Sequence, residues 1–189
     1  MESRKIVDAA HLRVIAHPTR LRLLGLLREF GPLTAKGLSA YVDEAPGTLS
    51  YHLTKLAEAG FVEEEQRPDG DRRQRWWRAL HGYTEWDDAD LFEDPEKLAA
   101  SKDFSRIVGQ IYAQQHLAYM DMMPQLDREW IEAATNGDRR LRLTARELAE
   151  LRDDVEALEQ KWTSVSEAHS DGDGSEAVFM LVQAYRRPQ

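Results

Sequence analysis

The chain contains no cysteine. Disulfide frameworks, thiolate metal sites and cysteine nucleophiles are therefore excluded. Long apolar runs are missing too. No stretch approaches the roughly 18 consecutive apolar residues that a membrane span needs, and the opening MESRKIVDAAHLRVIAHP lacks the apolar core of a secretion signal. A cytoplasmic protein with no membrane partner is expected. The sequence also lacks G-x-G-x-x-G, a Walker loop, G-x-S-x-G and H-E-x-x-H. Its many carboxylate pairs lie in hydrophilic segments with nothing to shield them or shift their titration. The expectation is a protein that is not an enzyme and uses no cofactor. Internal repeats and low-complexity tracts are likewise absent. What remains is 189 residues, 42% hydrophobic and 31% charged, enough for one large or two small domains with a real core.

Positive charge is scarce overall: 25 Lys and Arg face 34 Asp and Glu, a net of −9. That balance argues against nucleic acid until it is divided along the chain. Residues 1–80 carry 13 basic and 11 acidic side chains (net +2), whereas residues 81–189 carry 12 and 23 (net −11). Such asymmetry suggests two parts with different partners. The densest acidic run, Glu85 to Glu96 (EWDDADLFEDPE), reads as a solvated connector entering a helix. The expected organisation is residues 1–80, an acidic linker over 81–94, and a second domain over 95–189.

In the first part, apolar residues recur at helical spacing in short blocks. One block runs from about Ile6 to Ala16. Pro18 suits a first helical position, because it has no N–H to leave unpaired, and Leu21, Leu23, Leu24, Leu26 and Leu27 then form a broad stripe that Gly31-Pro32 ends. Thr34 is placed to cap a short helix from Ala35 to about Val42. After Asp43-Glu44-Ala45, Pro46 opens another helix in which Leu49, Leu53 and Leu56 share one face, and Gly60 closes it. Two short helices joined by a tight turn make a helix-turn-helix. Phe61–Gln66 and Arg72–Leu80 are strand-like and flank Arg67-Pro68-Asp69-Gly70-Asp71, which has strong turn chemistry. This is a β-hairpin wing carrying Arg67, Arg72, Arg73, Arg75 and Arg78, with Trp76 and Trp77 expected to pack, one inward and one on a flank.

The second part reads differently. Asp94-Pro95-Glu96 starts a long helix through Phe104, Ile107, Val108, Ile111, Leu117, Met120 and Met123, which Pro124 kinks or breaks. Arg140–Leu143 looks like a short strand. Thr144-Ala145-Arg146-Glu147 is a capping box, opening a helix with Leu148, Leu151, Val155, Leu158 and Trp162 on one face. Ala177–Tyr185 is rich in β-branched and aromatic residues and could pair with Leu141–Leu143. The turn at Ser170–Ser175 holds Asp171 and Asp173 but lacks the later ligands of a calcium loop. The fold class expected is mainly α (α+β): a winged helix-turn-helix followed by a helical dimerisation or effector domain with a small β-sheet.

A recognition helix buries one face and offers the other to the major groove. Burying Leu49, Leu53 and Leu56 leaves Pro46, Gly47, Thr48, Ser50, Tyr51 and, at the margin, His52 near the N-terminal end that approaches base edges. The helix dipole and free N–H groups at that end also favour phosphate. Lys55, a turn later, is placed for the DNA backbone, and Thr34 stands at the start of the preceding helix. Clustered arginines at a hairpin tip gain nothing in folding but do gain by neutralising phosphates. Arg72 and Arg73 are the best wing contacts, followed by Arg67. Arg75 and Arg78 lie where Glu63, Glu64 and Glu65 on the partner strand could balance them.

His17-Pro18-Thr19-Arg20 with its leucine run, Leu49-Ser50-Tyr51-His52-Leu53 with Leu56, Gly60-Phe61-Val62 and the arginine-rich wing together resemble the winged helix-turn-helix of ArsR-type bacterial transcriptional regulators, over about 65 residues. The second part resembles the C-terminal extension of longer members. The resemblance implies a homodimer that binds double-stranded operator DNA, usually as a repressor relieved by an effector. An unidentified small-molecule effector is thus a further expected partner. The family's metal sensing finds no support. Thiolate sites need cysteine, and the long helix offers only His116, with Asp121 on a different face. No two histidines stand at i, i+3 or i+4, so no local metal site is expected. The competing reading is a protein–protein adaptor that uses a winged helix without DNA.

Overall fold

A computed structural model of the chain describes residues 3–6, 8–66, 74–86, 88–170 and 172–187. It is mainly helical with a small three-stranded antiparallel sheet, as the sequence predicts. Packing divides the chain into two compact units, Met1–Glu132 and Ala133–Gln189. The division expected near residues 80–95 follows the change in charge, whereas the break in packing comes later.

In the first unit, α1 (Ala9–Ile15) begins at Asp8, whose carboxylate accepts the His11 N–H, and buries Leu12 and Ile15. Helix α2 (Pro18–Glu29) starts with Pro18 in its first turn, buries Leu23, Leu24, Leu26 and Leu27, and ends before Gly31-Pro32 as foreseen, with Gly31 at a left-handed φ of 72°. Thr34 caps α3 (Ala35–Leu38) by accepting the Gly37 N–H at 3.0 Å. That helix stops at Leu38 rather than near Val42. Ser39 turns its hydroxyl back onto the Lys36 carbonyl, which favours a turn over another helical residue. Helix α4 (Pro46–Glu58) buries Leu49, Leu53 and Leu56 and closes at Gly60, where φ is 68°.

The sheet has the order β2-β4-β3, with β2 Leu33–Thr34, β3 Val62–Glu65 and β4 Trp76–Ala79. Val62 stands opposite Ala79 and Glu64 opposite Trp77, so β3 and β4 form the two sides of the foreseen wing. Trp77 is buried at the junction with β2, and Trp76 is half-buried. The tip, with Arg67, Arg72 and Arg73, lies outside the described residues. A two-stranded parallel pair was not foreseen: β1 (Ser3–Ile6) runs beside β5 (Tyr83–Trp86). Part of the acidic run is therefore ordered, continuing into α5 (Asp88–Leu91), whose Leu91 is fully buried. Arg28 ties this region to α2. Its guanidinium donates to the His81 carbonyl at 2.9 Å and the Thr84 hydroxyl at 2.7 Å, and burial pushes its pKa down to about 10.

Helix α6 (Pro95–Met122) belongs to this same core along its first half. It packs on α1 and buries Ala100, Ser101, Phe104 and Val108, with Phe104 edge-on to Trp86 at 4.8 Å. Its second half leaves Leu117, Met120 and Met122 exposed. Pro124 ends it in a 3-10 turn, Met123–Gln125, followed by α7 (Arg128–Ala133).

In the second unit, Thr144 and Glu147 form the foreseen capping box at the start of α8 (Ala145–Glu167). The Asp173 carboxylate accepts the Ser170 and Ser175 N–H groups, a closed turn whose hydrogen bonds hold that carboxyl well below its usual range. The expected strand pairing of Leu141–Leu143 with Ala177–Tyr185 is not formed. Both segments are exposed, and neither belongs to a strand. Their β propensity needs a paired neighbouring strand before it is expressed as a ladder, and among the described residues neither segment forms one.

Stability should accordingly reside in the first unit. Leu53, fully buried, sits where the leucines of α2 and α4 form one core. Leu53→Ala should cost about 2–5 kcal/mol in urea unfolding. Tyr51→Ala, on the 59%-exposed side of the same helix, should change the midpoint little. Equal losses would show that α4 is not anchored by its leucine face.

Candidate nucleic-acid interface

Helix α4 enters from an extended Ala45, which has no side chain able to cap it. Pro46 occupies the first turn without an N–H to satisfy. The remaining first-turn N–H groups thus face outward with no side-chain acceptor, at the positive end of the helix dipole. Pro46, Gly47 and Thr48 are exposed, and Ser50 is half-buried. A Cβ built on Gly47 would meet nothing within 4 Å, so internal packing does not require glycine there. What its absent side chain preserves is free space on the outer surface. Tyr51 projects from the same end. One turn further, the Lys55 ammonium lies 6.0 Å from the Tyr51 ring and pairs with Glu58 at 2.7 Å, which raises its pKa. Thr54 turns its hydroxyl to the Ser50 carbonyl and stays with its own helix.

His52 departs from the sequence reading. It is only 8% exposed and faces inward. Its position, three residues after Leu49 and one before Leu53, puts it within the leucine stripe rather than at the margin of the free face. Its ring lies 4.5 Å from that of His17, at the start of α2, and its Nε2 is 3.6 Å from a Glu44 carboxylate oxygen in the turn before α4. Thr19 donates to Glu44 at 2.5 Å. One carboxylate and two imidazoles thus join α2, the turn and α4. Single-sequence spacing could not show this cluster, because its members come from three separate segments. Among the described residues neither histidine's Nδ1 has a hydrogen-bond partner, and no group of three His, Cys, Asp or Glu could hold a metal ion.

Arg20 is a second residue that the sequence reading left out. It comes from the first turn of α2, and its charge acts on both Tyr51 and Lys55. Burial lowers its pKa without removing the charge at neutral pH. The Pro18-Thr19-Arg20 helix start was visible, but the approach of α2 to α4 was not.

The wing is electrostatically divided. Arg75 donates to Glu64 at 2.8 Å and lies over the Trp77 ring at 4.5 Å, while Arg78 pairs with Glu63 and stands 3.8 Å from Glu65. The glutamates of β3 therefore balance the strand arginines, as their opposed positions suggested. Thr34 is spent on its cap.

Residues 15–65 match a family model described as a helix-turn-helix domain, which spans α2, α3, α4 and β3. Among curated proteins no relative matches. Among solved structures, the chain is similar to a "Possible transcriptional regulator for arsenical resistance" at 26% identity, over 67% of this chain and 97% of that one, with a TM-score of 0.32. A "probable transcriptional regulator from Pseudomonas aeruginosa" matches at 20% identity, over 62% and 88%, with a TM-score of 0.34. The apo form of wild-type MarR from E. coli matches at 17% identity, over 80% and 87%, with a TM-score of 0.33. At TM-scores this low the structural likenesses carry no weight, and the helix-turn-helix match stands on its own.

The histidine cluster has a consequence for pH. Burial, then the nearby His52 and Arg20 charges, lower the His17 pKa from its ordinary 6.5, and Glu44 only partly offsets them. The unfolded chain then binds the proton more readily than the folded one, so stability rises with pH in this range. Full stability holds above 6.5 and is lost as pH falls towards the folded-state value. Against His17→Gln, which cannot titrate, the parent should lose stability between pH 7.5 and 5.5 in parallel urea titrations. A difference that stays constant with pH would mean that His17 titrates freely.

Proposed function

We propose that this winged helix-turn-helix chain of the ArsR type is a homodimeric repressor that binds operator DNA sequence-specifically. That it is a DNA-binding regulator follows from its helix-turn-helix domain. The observation that carries the reading further is the division of α4. One side is consumed by Leu49, His52, Leu53 and Leu56, and the other offers an uncapped N-terminus with Thr48, Ser50 and Tyr51 around an open Gly47. Hydroxyls and a phenol at the approaching end of such a helix suit base edges in the major groove. Arg20 and the wing-tip arginines Arg67, Arg72 and Arg73 supply the phosphate contacts, and Lys55 joins them by exchanging Glu58 for phosphate. Arg75, held by Glu64, makes a phosphate contact only if that pair opens. In a dimer, the two α4 helices would enter successive major grooves about 34 Å apart. A small-molecule effector would act through the second unit.

The polar outer side of α4 favours duplex DNA over a protein partner, whose docking face would be more apolar. No described helix is long and apolar enough to cross a membrane.

In vitro selection of duplex DNA by the purified chain, at two salt concentrations, tests this reading, and a symmetric enriched motif is the expected result. Thr48→Ala and Tyr51→Ala should each change the preference among sites. A uniform loss across all sequences would contradict base reading. Arg72→Ala with Arg73→Ala should weaken binding to every sequence and flatten the slope of log K against log salt by about two. An unchanged slope would remove the wing tip from the interface.

A further inference from the structure

The second unit has no interior of its own. From Ala133 onward no described residue is buried, and only Leu148, Ala149, Leu151 and Val155 are even half-buried. Yet α8 is an ordered helix with a capping box. In proteins most helical stability comes from packing an apolar face rather than from propensity. Here that face is the row Leu148, Leu151, Val155, Leu158, Trp162 and Val165, whose spacing alternates strictly between three and four residues. Leu158, Trp162 and Val165 are 44%, 51% and 41% exposed. A three–four alternation is the seam of a coiled coil, with the apolar row at its a and d positions.

We infer that α8 pairs antiparallel with α8 of a second copy of this chain. The charges beside the seam select both the occupant and the direction. Arg152 and Glu159 flank it on one side, and Asp154 and Lys161 on the other. Pairing a with d across a twofold axis sets Leu148 against Val165, Leu151 against Trp162 and Val155 against Leu158, each layer occurring twice. In that register Arg152 meets Glu159 of the partner subunit, and Asp154 meets Lys161 of the partner subunit. All four flanking contacts are then between opposite charges. The parallel arrangement joins Arg152 to the partner's Glu147 but sets Asp154 against the partner's Glu159, a like-charge pair that occurs twice, so its flanking contacts largely cancel. Asp154, Glu159 and Lys161 are exposed; Lys161 lies over the Trp162 ring at 4.9 Å and so stands beside the seam, while Arg152, which lies beside Asp153 and Glu156 on its own helix, can be shared.

This locates the interface of the dimer proposed above and does not depend on duplex binding, which has a separate readout. Sedimentation equilibrium of the full chain tests it. Asp154→Lys places two lysines against each partner contact and should loosen the dimer about tenfold. Adding Lys161→Asp to the same chain exchanges the charges and should restore the dimer to within about twofold of the parent. Helix content by circular dichroism should be the same in all three at chain concentrations where each is dimeric. A parent chain that sediments as a monomer, or an Asp154→Lys dimer that is unchanged or tighter, overturns the inference; tightening would indicate the parallel arrangement. The absence of native cysteine provides a second measurement. A mixture of Leu151→Cys and Trp162→Cys chains should oxidise to the mixed disulfide, and cross-linking of Leu151→Cys only to itself would overturn the antiparallel register. Duplex affinity measured on the same samples separates the two readings: α8 variants that leave the dimer intact on a chain that still binds duplex remove this interface alone.

Discussion

The leucine face of α4 is the constraint on which the rest depends. Leu49, Leu53 and Leu56 must leave water, and they do so in one core with the leucines of α2, Leu38 of α3, Leu12 and Ile15 of α1, and Phe61, Val62 and Trp77. Once that burial is made, the rotation of α4 about its axis is fixed. Its polar residues have nowhere to point but outward, and its first turn is left without a cap. The surface suited to nucleic acid is thus the remainder of a packing solution. The same burial draws His52 inward against His17, so the helix that offers a polar edge to solvent is seated on titratable groups.

Electrostatics works locally in this chain and only weakly as a total. Net charge would place it among proteins that avoid polyanions, yet the acids are spent near where they stand. Glu63, Glu64 and Glu65 answer Arg78 and Arg75 across the wing, Glu44 is held by Thr19 and His52, and Glu58 holds Lys55. Such exposed pairs contribute little stability. Their effect is to set which cations remain available.

Much of the fold was legible because its signals are short-range. Pro18 and Pro46 open helices, Gly31 and Gly60 close them, and Thr34 and Thr144 cap them, each through contacts within four residues. The wing was legible for the same reason, since a hairpin's strands are neighbours in sequence. What escaped depends on distant segments meeting. The parallel pair β1 and β5 joins residues about eighty positions apart, with no local pattern to announce it. The inward turn of His52 required knowing that His17 and Glu44 stand behind it. Leu141–Leu143 and Ala177–Tyr185 show the opposite failure: the propensity was read correctly, but a strand is a relation between segments, and neither segment forms one among the described residues. For the candidate site, Gly47, Thr48 and Tyr51 could be placed from the leucine spacing, whereas Arg20 could not, because it reaches the site through tertiary packing.

Helix α6 changes character along its length, clamped by Ala100, Phe104 and Val108 at one end and bare at Leu117, Met120 and Met122 at the other. A helix is stiff, so its free end follows its rooted end as a pointer follows its pivot. From Phe104 to Met122 is about 27 Å at the usual rise per residue. A tilt of about 5° at the pivot therefore sweeps the far end through about 2 Å. Small repacking around Phe104 and Trp86, too slight to disturb the leucine core, becomes a displacement as large as an atomic diameter at the methionine end.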